Sequence, residues 1–169
     1  MPTPLDAFTL AISKASDPDA AWRALGALSR DIAGHRLFTV MTVDMEAGLA
    51  RRAFSSHPKE YPVSGTKPIH RDGWFDIVHG ARRSFIANTI EDIAKVFPDF
   101  ELISALGCAS VLNLPVVLED ELVATINMLD AAHHYTPGRV AAAESQLALP
   151  ARLCCALGLM FDLRNKKPD

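Results

Sequence analysis

A chain of 169 residues, 49% hydrophobic and 22% charged, holds the apolar material of one packed domain, since domains commonly run about 100 to 200 residues, and that balance excludes wholesale disorder. The formal net charge is −3, and the 17 lysines and arginines are scattered, with Arg51-Arg52, Arg82-Arg83 and Lys166-Lys167 as the only doublets. That excludes the basic stripe with which proteins displace counterions from nucleic acid. The doublets read as solvated faces, the middle pair alternatively as an anion clamp.

In chain order, Leu5, Phe8 and Ile12 fall on one helical face and predict a short helix over 5–15. Asp17-Pro18 supplies an N-cap and a first-turn proline for a second helix, whose stripe of Trp22, Leu25, Leu28 and Ile32 is stopped by Gly34. Residues 1–34 form an N-terminal helical unit. Leu37 to Val43 is rich in β-branched residues and ends at Asp44, and a second strand over 49–56 follows across a short turn whose Gly48 suits a positive φ. Residues 57–71, broken by Pro58, Pro62, Pro68, Ser64 and Gly65, predict a long loop, a frequent place for function.

A helical turn or two over 72–79 ends at Gly80, and a short strand covers 84–87. Two short helices, 90–96 and 99–106, are split by Pro98 and closed by Gly107. Strands over 109–118 and 121–130, joined at Glu119-Asp120, make a second hairpin. Thr136-Pro137 caps a helix running to about Leu163, in which Pro150 predicts a kink or a break, and Asn165 to Asp169 read as a loose tail. The expected organisation over 1–169 is thus one domain, with the sheet in 36–130 and the last helix in 136–164.

Cys108, Cys154 and Cys155 make no disulfide framework, because an adjacent pair cannot easily reach disulfide geometry. No histidine or carboxylate stands at ligand spacing around them, so they read as small buried hydrophobes and no metal site is expected. His70, His79 and the pair His133-His134 likewise lack a carboxylate or cysteine at ligand spacing and read as surface histidines. The N-terminus lacks the charge-then-apolar order of a secretory signal. The apolar run Leu153 to Phe161 lies between Arg152 and Asp162, short of the ~20 residues that span a bilayer. A soluble, cytoplasmic chain without a membrane partner is expected.

Helices, a hairpin, a loop with short helices and one short strand, a second hairpin and a long helix suggest an α+β fold. Gly73-Trp74-Phe75-Asp76-Ile77-Val78-His79-Gly80 with Ser84-Phe85-Ile86-Ala87-Asn88 is similar to the helix-then-strand entry to the pocket in the GAF family. Ala105 to Val116 and Glu121 to Leu129 resemble its next two strands, and Tyr135-Thr136-Pro137 resembles the start of its last helix. The resemblance covers residues 20 to 163. It implies a GAF-like (PAS-like) antiparallel sheet of five to six strands, with terminal helices on one face and short helices and a ligand pocket on the other.

By resemblance to the bilin-binding members, Val111, Asn113, Val123, Thr125, Asn127 and Leu129 face the pocket, while Leu112, Leu114, Leu122, Ile126 and Met128 face the helices. The split is independently sensible, since the helix-facing set is wholly apolar and the other carries Asn113, Thr125 and Asn127. Buried amides need partners. A polar ligand is one, and each other, a loop backbone or trapped water are the alternatives. His70, Trp74, Phe75 and Arg83 are further ligand-binding candidates, Trp74 alternatively a lid over the core.

The resemblance implies a small-molecule-binding sensory domain, non-catalytic, with no cofactor expected and its ligand unknown. Cyclic nucleotides are disfavoured, because Met128 and Arg139-Val140 stand where such members carry lysine and acidic residues. Bilins are disfavoured, because 99–107 has neither cysteine nor histidine. A free methionine-(R)-sulfoxide reductase-like enzyme is the catalytic alternative, weakened by the absence of cysteine before Cys108. A structural dimerisation module without ligand is the third reading. Leu147, Leu149, Leu153, Leu157, Met160 and Phe161, with Trp22, Leu25 and Leu28, exceed what one sheet face can cover, so a homodimer through the terminal helices is expected. No output segment fits in the chain, so signalling would pass to a separate output protein.

Overall fold

The computed structural model describes residues 1–166. It opens with α1 (Pro4–Lys14), started by a capping box in which the Thr3 hydroxyl accepts from the Asp6 N–H and the Asp6 carboxylate accepts from the Thr3 N–H. Helix α2 (Pro18–Ile32) starts on Asp17, whose carboxylate accepts from the Ala20 N–H at 2.8 Å. Strands β1 (Leu37–Asp44) and β2 (Leu49–Ser55) follow, joined by a turn in which Gly48 holds φ 67°. A two-residue β3 (Lys67–Pro68), inside the segment expected to be all loop, pairs with the first residues of β2.

The predicted helix after Asp72 is a single turn, α3 (Gly73–Phe75), that widens into a π-helical turn over Asp76–Gly80. Next come β4 (Phe85–Ala87), α4 (Ile90–Ala94), α5 (Phe100–Ala105), β5 (Ser110–Leu118), β6 (Glu121–Asp130) and α6 (Pro137–Asn165). Pro150 does not break α6: its ring is buried with Leu147, Ala151 and Cys154, and that packing outweighs the lost backbone bond. Asn165 of the expected tail belongs to the helix, and residues 167–169 lie outside the described residues.

All six strands form one antiparallel sheet in the order β3-β2-β1-β6-β5-β4, so the α+β GAF-like architecture stands. Helices α2 and α6 cover one face. Phe38, Val40, Leu112, Leu114, Ile126 and Met128 meet Trp22, Leu25, Leu28, Leu147, Cys154 and Cys155 there in the main core. On the other face Leu37, Ala87, Val111 and Leu129 pack with Tyr61, Ile93, Ile103 and Cys108. Alternation along the strands makes this sorting, except at Val123 and at Leu122, which was expected to face the helices but pairs with Val117 past the bulge and is not part of the helix-side core. A bulge at Val116/Val117 shifts the register so that Val123 is left without a cross-strand partner, and it packs on the helix-side core instead of facing the expected pocket.

By length and composition alone, α6 is apolar enough to cross a membrane, a longer span than the run expected from the sequence. One flank, with Ala143, Leu147, Ala151 and Phe161, is buried in the fold. The other exposes Leu149, Leu153, Met160 and Leu163.

Candidate functional site

The face of the sheet away from α2 and α6 is ordered in rows across the strands. The apolar row is Leu37, Leu129, Val111 and Ala87, each directly opposite the next in register. One step along, Thr39 stands opposite Asn127, and Asn127 opposite Asn113. The step after that holds Met41, Thr125 and Pro115.

The polar row is a hydrogen-bonded relay. The Trp74 indole N–H, from α3, donates to the Asn113 amide oxygen at 2.9 Å, the Asn113 amide nitrogen donates to Asn127 Oδ1 at 2.7 Å, and Asn127 donates to the Thr39 hydroxyl at 3.2 Å. Asn113, Asn127 and Thr39 are all buried. Unbonded, each amide would cost about 1–3 kcal/mol, so the relay explains how the sheet tolerates them. Mutual bonding, one of the alternatives left by the sequence, is thus realised, and Trp74 forms its outer end. Thr125 differs. Its hydroxyl is buried, at 1% exposure, and has no partner among the described residues.

Trp74 is held over the row by its own short helix, where the Asp72 carboxylate accepts from the Phe75 N–H at 3.0 Å. Phe75 is buried and stacks on His79 with ring centroids 4.5 Å apart. The π-helical turn that follows, of a kind frequent at functional sites, packs against β5.

The long loop is pinned across this side. Tyr61 is buried, its hydroxyl donates to Asp99, and the Arg52 guanidinium lies 3.7 Å from its ring centroid while donating to the Pro62 carbonyl at 2.8 Å. Burial, then the Asp99 carboxylate, push the Tyr61 phenol well above its ordinary value, so it stays a donor. The Ser64 hydroxyl accepts from the Arg52 N–H at 2.9 Å.

The sequence-derived candidates divide. Asn113, Asn127, Trp74 and the Thr125 position come together. Val111 and Leu129 lie in the adjoining apolar row as filled core, and Phe75 is buried beside Trp74 in α3. His70 is solvent-exposed just after β3, at the far edge of the sheet from β5. Arg83 is also exposed and lines a cleft with Leu114 and Ile126, residues of the helix-side core, which removes it from the amide row. Thr39, Tyr61, Asp99 and Arg52 were missed. Thr39 was legible in principle, because it breaks the apolar character of β1 between the helix-facing Phe38 and Val40. Asp99 joins the Arg52–Tyr61 contact from 38 positions beyond Tyr61 and 47 beyond Arg52, which leaves no local signal.

Two clefts, of about 330 Å³ beside Trp22, Val43 and Leu159 and of about 260 Å³ under Arg83, open beside residues of the helix-side core, and neither is lined by Asn113 or Asn127. Trp74 caps the amide row through its bond to Asn113. His134, expected at the surface, is instead half-buried 3.6 Å from Asp130 and 2.8 Å from the Ala33 carbonyl, and Asp130 also pairs with Arg36 at 3.2 Å. This knot ties the start of β1 to the end of β6. The three thiols are buried, and burial pushes Cys108 up to about 11 and Cys154 and Cys155 up to about 12.

No protein-family model matches the sequence, and no curated protein does. Solved structures do. The GAF domain of a two-component sensor histidine kinase from Bacillus halodurans is similar over 88% of this chain and 99% of its own, with 12% identity and a TM-score of 0.69. The GAF domain of a phosphoenolpyruvate-protein phosphotransferase from Coxiella burnetii matches over 93% and 94%, with 14% identity and a TM-score of 0.66. The free methionine-R-sulfoxide reductase of Neisseria meningitidis, solved with its substrate, matches over 93% and 90%, with 10% identity and a TM-score of 0.64. The chain has the GAF-domain fold.

Proposed function

We propose that this chain is a sensory or regulatory domain that binds a small molecule beneath Trp74, works as a dimer in the cytoplasm and passes its signal to a separate output protein. The observation that carries this reading is the buried polar row Thr39–Asn127–Asn113, closed by Trp74 and flanked by the unpartnered Thr125 hydroxyl. A ligand with a donor could replace the indole N–H on Asn113, and a polar atom beside it would satisfy Thr125, so the incoming molecule costs the protein few bonds. Trp74 is the movable element, since it is only half-buried and sits on a single helical turn. The similarity to GAF domains of sensor proteins supports the same reading.

The fold is also similar to that of a methionine sulfoxide reductase, which keeps the catalytic alternative in view. The thiols speak against it, since Cys108, Cys154 and Cys155 are buried and held protonated, while reductase chemistry needs an accessible thiolate.

Native mass spectrometry tests the proposal on the wild type and Thr125→Val. Either a bound small-molecule mass or thermal stabilisation by a member of a metabolite panel, lost or weakened in the variant, is the expected result. A wild type that carries no extra mass and is stabilised by no compound of the panel overturns it.

A further inference from the structure

We infer that the cleft of about 260 Å³ under Arg83 is a second binding site, on the opposite side of the sheet from the amide row, and that it takes an α-amino acid with an apolar side chain. The cleft exists because β4 pairs with β5 only at residues 111–113, after which the chain leaves the sheet at Ser84 and uncovers the strand. Pro115, which has no N–H to give to a neighbouring strand, sits in that uncovered stretch, as prolines in sheets do at an edge.

The floor is apolar: the half-buried Pro115 and Ala148 line it with the edge of Leu114, and Val116, Ile126, Leu147 and Ala151 lie behind them, at 2% exposure or less. Its size, just under the about 300–1,000 Å³ of pockets for drug-sized ligands, suits a small molecule. The rim carries charge of both signs. Of the arginines along this edge, Arg82 donates to the His79 and Asp120 carbonyls and Arg152 to the Val117 carbonyl, so both are engaged by the backbone. Arg83 lines the rim, and among the described residues its guanidinium has neither a hydrogen bond nor an ion pair. Glu144, also in the lining, accepts from the hydroxyl of Ser84, the neighbour of Arg83, at 2.6 Å through one oxygen. Arg83 and Glu144 share the cleft without pairing with each other.

A free guanidinium, a carboxylate with an open oxygen and an apolar floor in one cleft complement one chemistry in particular. The carboxylate of an amino acid meets Arg83 through parallel N–H···O bonds, its ammonium meets Glu144, and its side chain covers Leu114, Pro115 and Ala148. A plain fatty acid would leave Glu144 facing a like charge, and an amine would leave Arg83 unmet.

Methyl NMR titration with L-leucine and L-phenylalanine tests the inference, read at Leu114, Val116, Ile126 and Leu147. Saturable shifts are expected at millimolar ligand, with binding weakened by about tenfold in Arg83→Gln and in Glu144→Gln. Leucinamide, which lacks the carboxylate, should bind weakly and be insensitive to Arg83→Gln. No shift at these methyls, or wild-type affinity for leucine in Arg83→Gln, overturns the site. Both substitutions lie at the surface, and Thr125 and the amide row on the other face report separately on the first site.

Discussion

The Nε2–H of His35 donates to the Gly26 carbonyl at 2.8 Å, which leaves its Nδ1 buried with no partner among the described residues. A protonated ring would place an unmatched N–H inside the fold, against Phe38 with ring centroids 5.3 Å apart. Burial accordingly holds His35 below the ordinary histidine value, although the Gly26 bond pulls the other way.

Stability should therefore depend on pH through this one residue. Between the depressed folded value and the unfolded value of about 6.5, the unfolded chain holds the additional proton. The stability is fully present above about pH 6.5 and is lost as the pH falls through that value toward the folded one. His35→Gln, whose amide N–H can keep the Gly26 carbonyl bonded, should show a shallower loss. Urea midpoints measured from about pH 7.5 down to about pH 5.5 check this, and equal slopes for the two proteins would refute it.

Two helical glycines should respond to alanine with opposite signs. A Cβ on Gly26 in α2 would stand 3.1 Å from the fully buried Phe38 ring, which has no room to give. At Gly158 in α6 its nearest neighbour would be Trp22 at 3.8 Å, an ordinary contact. Alanine in a helix interior gains about 1 kcal/mol over glycine, whereas forcing a methyl into a full core costs about 1–3 kcal/mol. Gly158→Ala should raise the urea midpoint by about 1 kcal/mol equivalent, and Gly26→Ala should lower it.

Thr125→Val should stabilise the ligand-free protein. The hydroxyl lost has no partner, and an unsatisfied buried group costs about 1–3 kcal/mol, so the isosteric methyl should raise stability by about 1 kcal/mol. Asn127→Leu should do the reverse, because it strands both the Asn113 amide N–H and the Thr39 hydroxyl. Thermal melts of the two variants decide between a site that gives up stability for binding and a plain core. A destabilised Thr125→Val would mean that the hydroxyl has a structural partner.

What the sequence displayed was whatever is periodic or local. The caps at Asp17 and Thr136, the alternation that sends Asn113 and Asn127 one way and Leu112 and Ile126 the other, and the Glu119-Asp120 turn are all written within a few residues. What it hid depends on register or long range. The bulge that turns Val123 toward the helices needs both strands at once. The place of Arg83 is fixed by where β4 stops pairing with β5, and the burial of His134 by its meeting Ala33 from 101 positions away. The surplus of apolar residues on the terminal helices was correctly noticed but partly misassigned. Trp22, Leu25, Leu28, Leu147 and Phe161 serve the chain's own fold, being 5% exposed or less.

The residues left over offer a surface through which the expected dimer would form. Leu149, Leu153, Ala156, Met160 and Leu163 lie on the solvent side of α6, with exposures of 74% at Leu149 and 70% at Leu163. Their steps of four, three, four and three make the repeat of a two-helix seam, in which each side chain packs between residues of an identical facing helix. Static light scattering should report a dimer at micromolar concentration, and Leu153→Glu, which puts a charge in the middle of the seam, should yield a monomer with unchanged circular dichroism. Because Leu153 is 41% exposed in the single chain, its replacement leaves the core intact, so loss of the dimer would be read at the seam alone. A wild type that stays monomeric at those concentrations rules the seam out as a self-association surface.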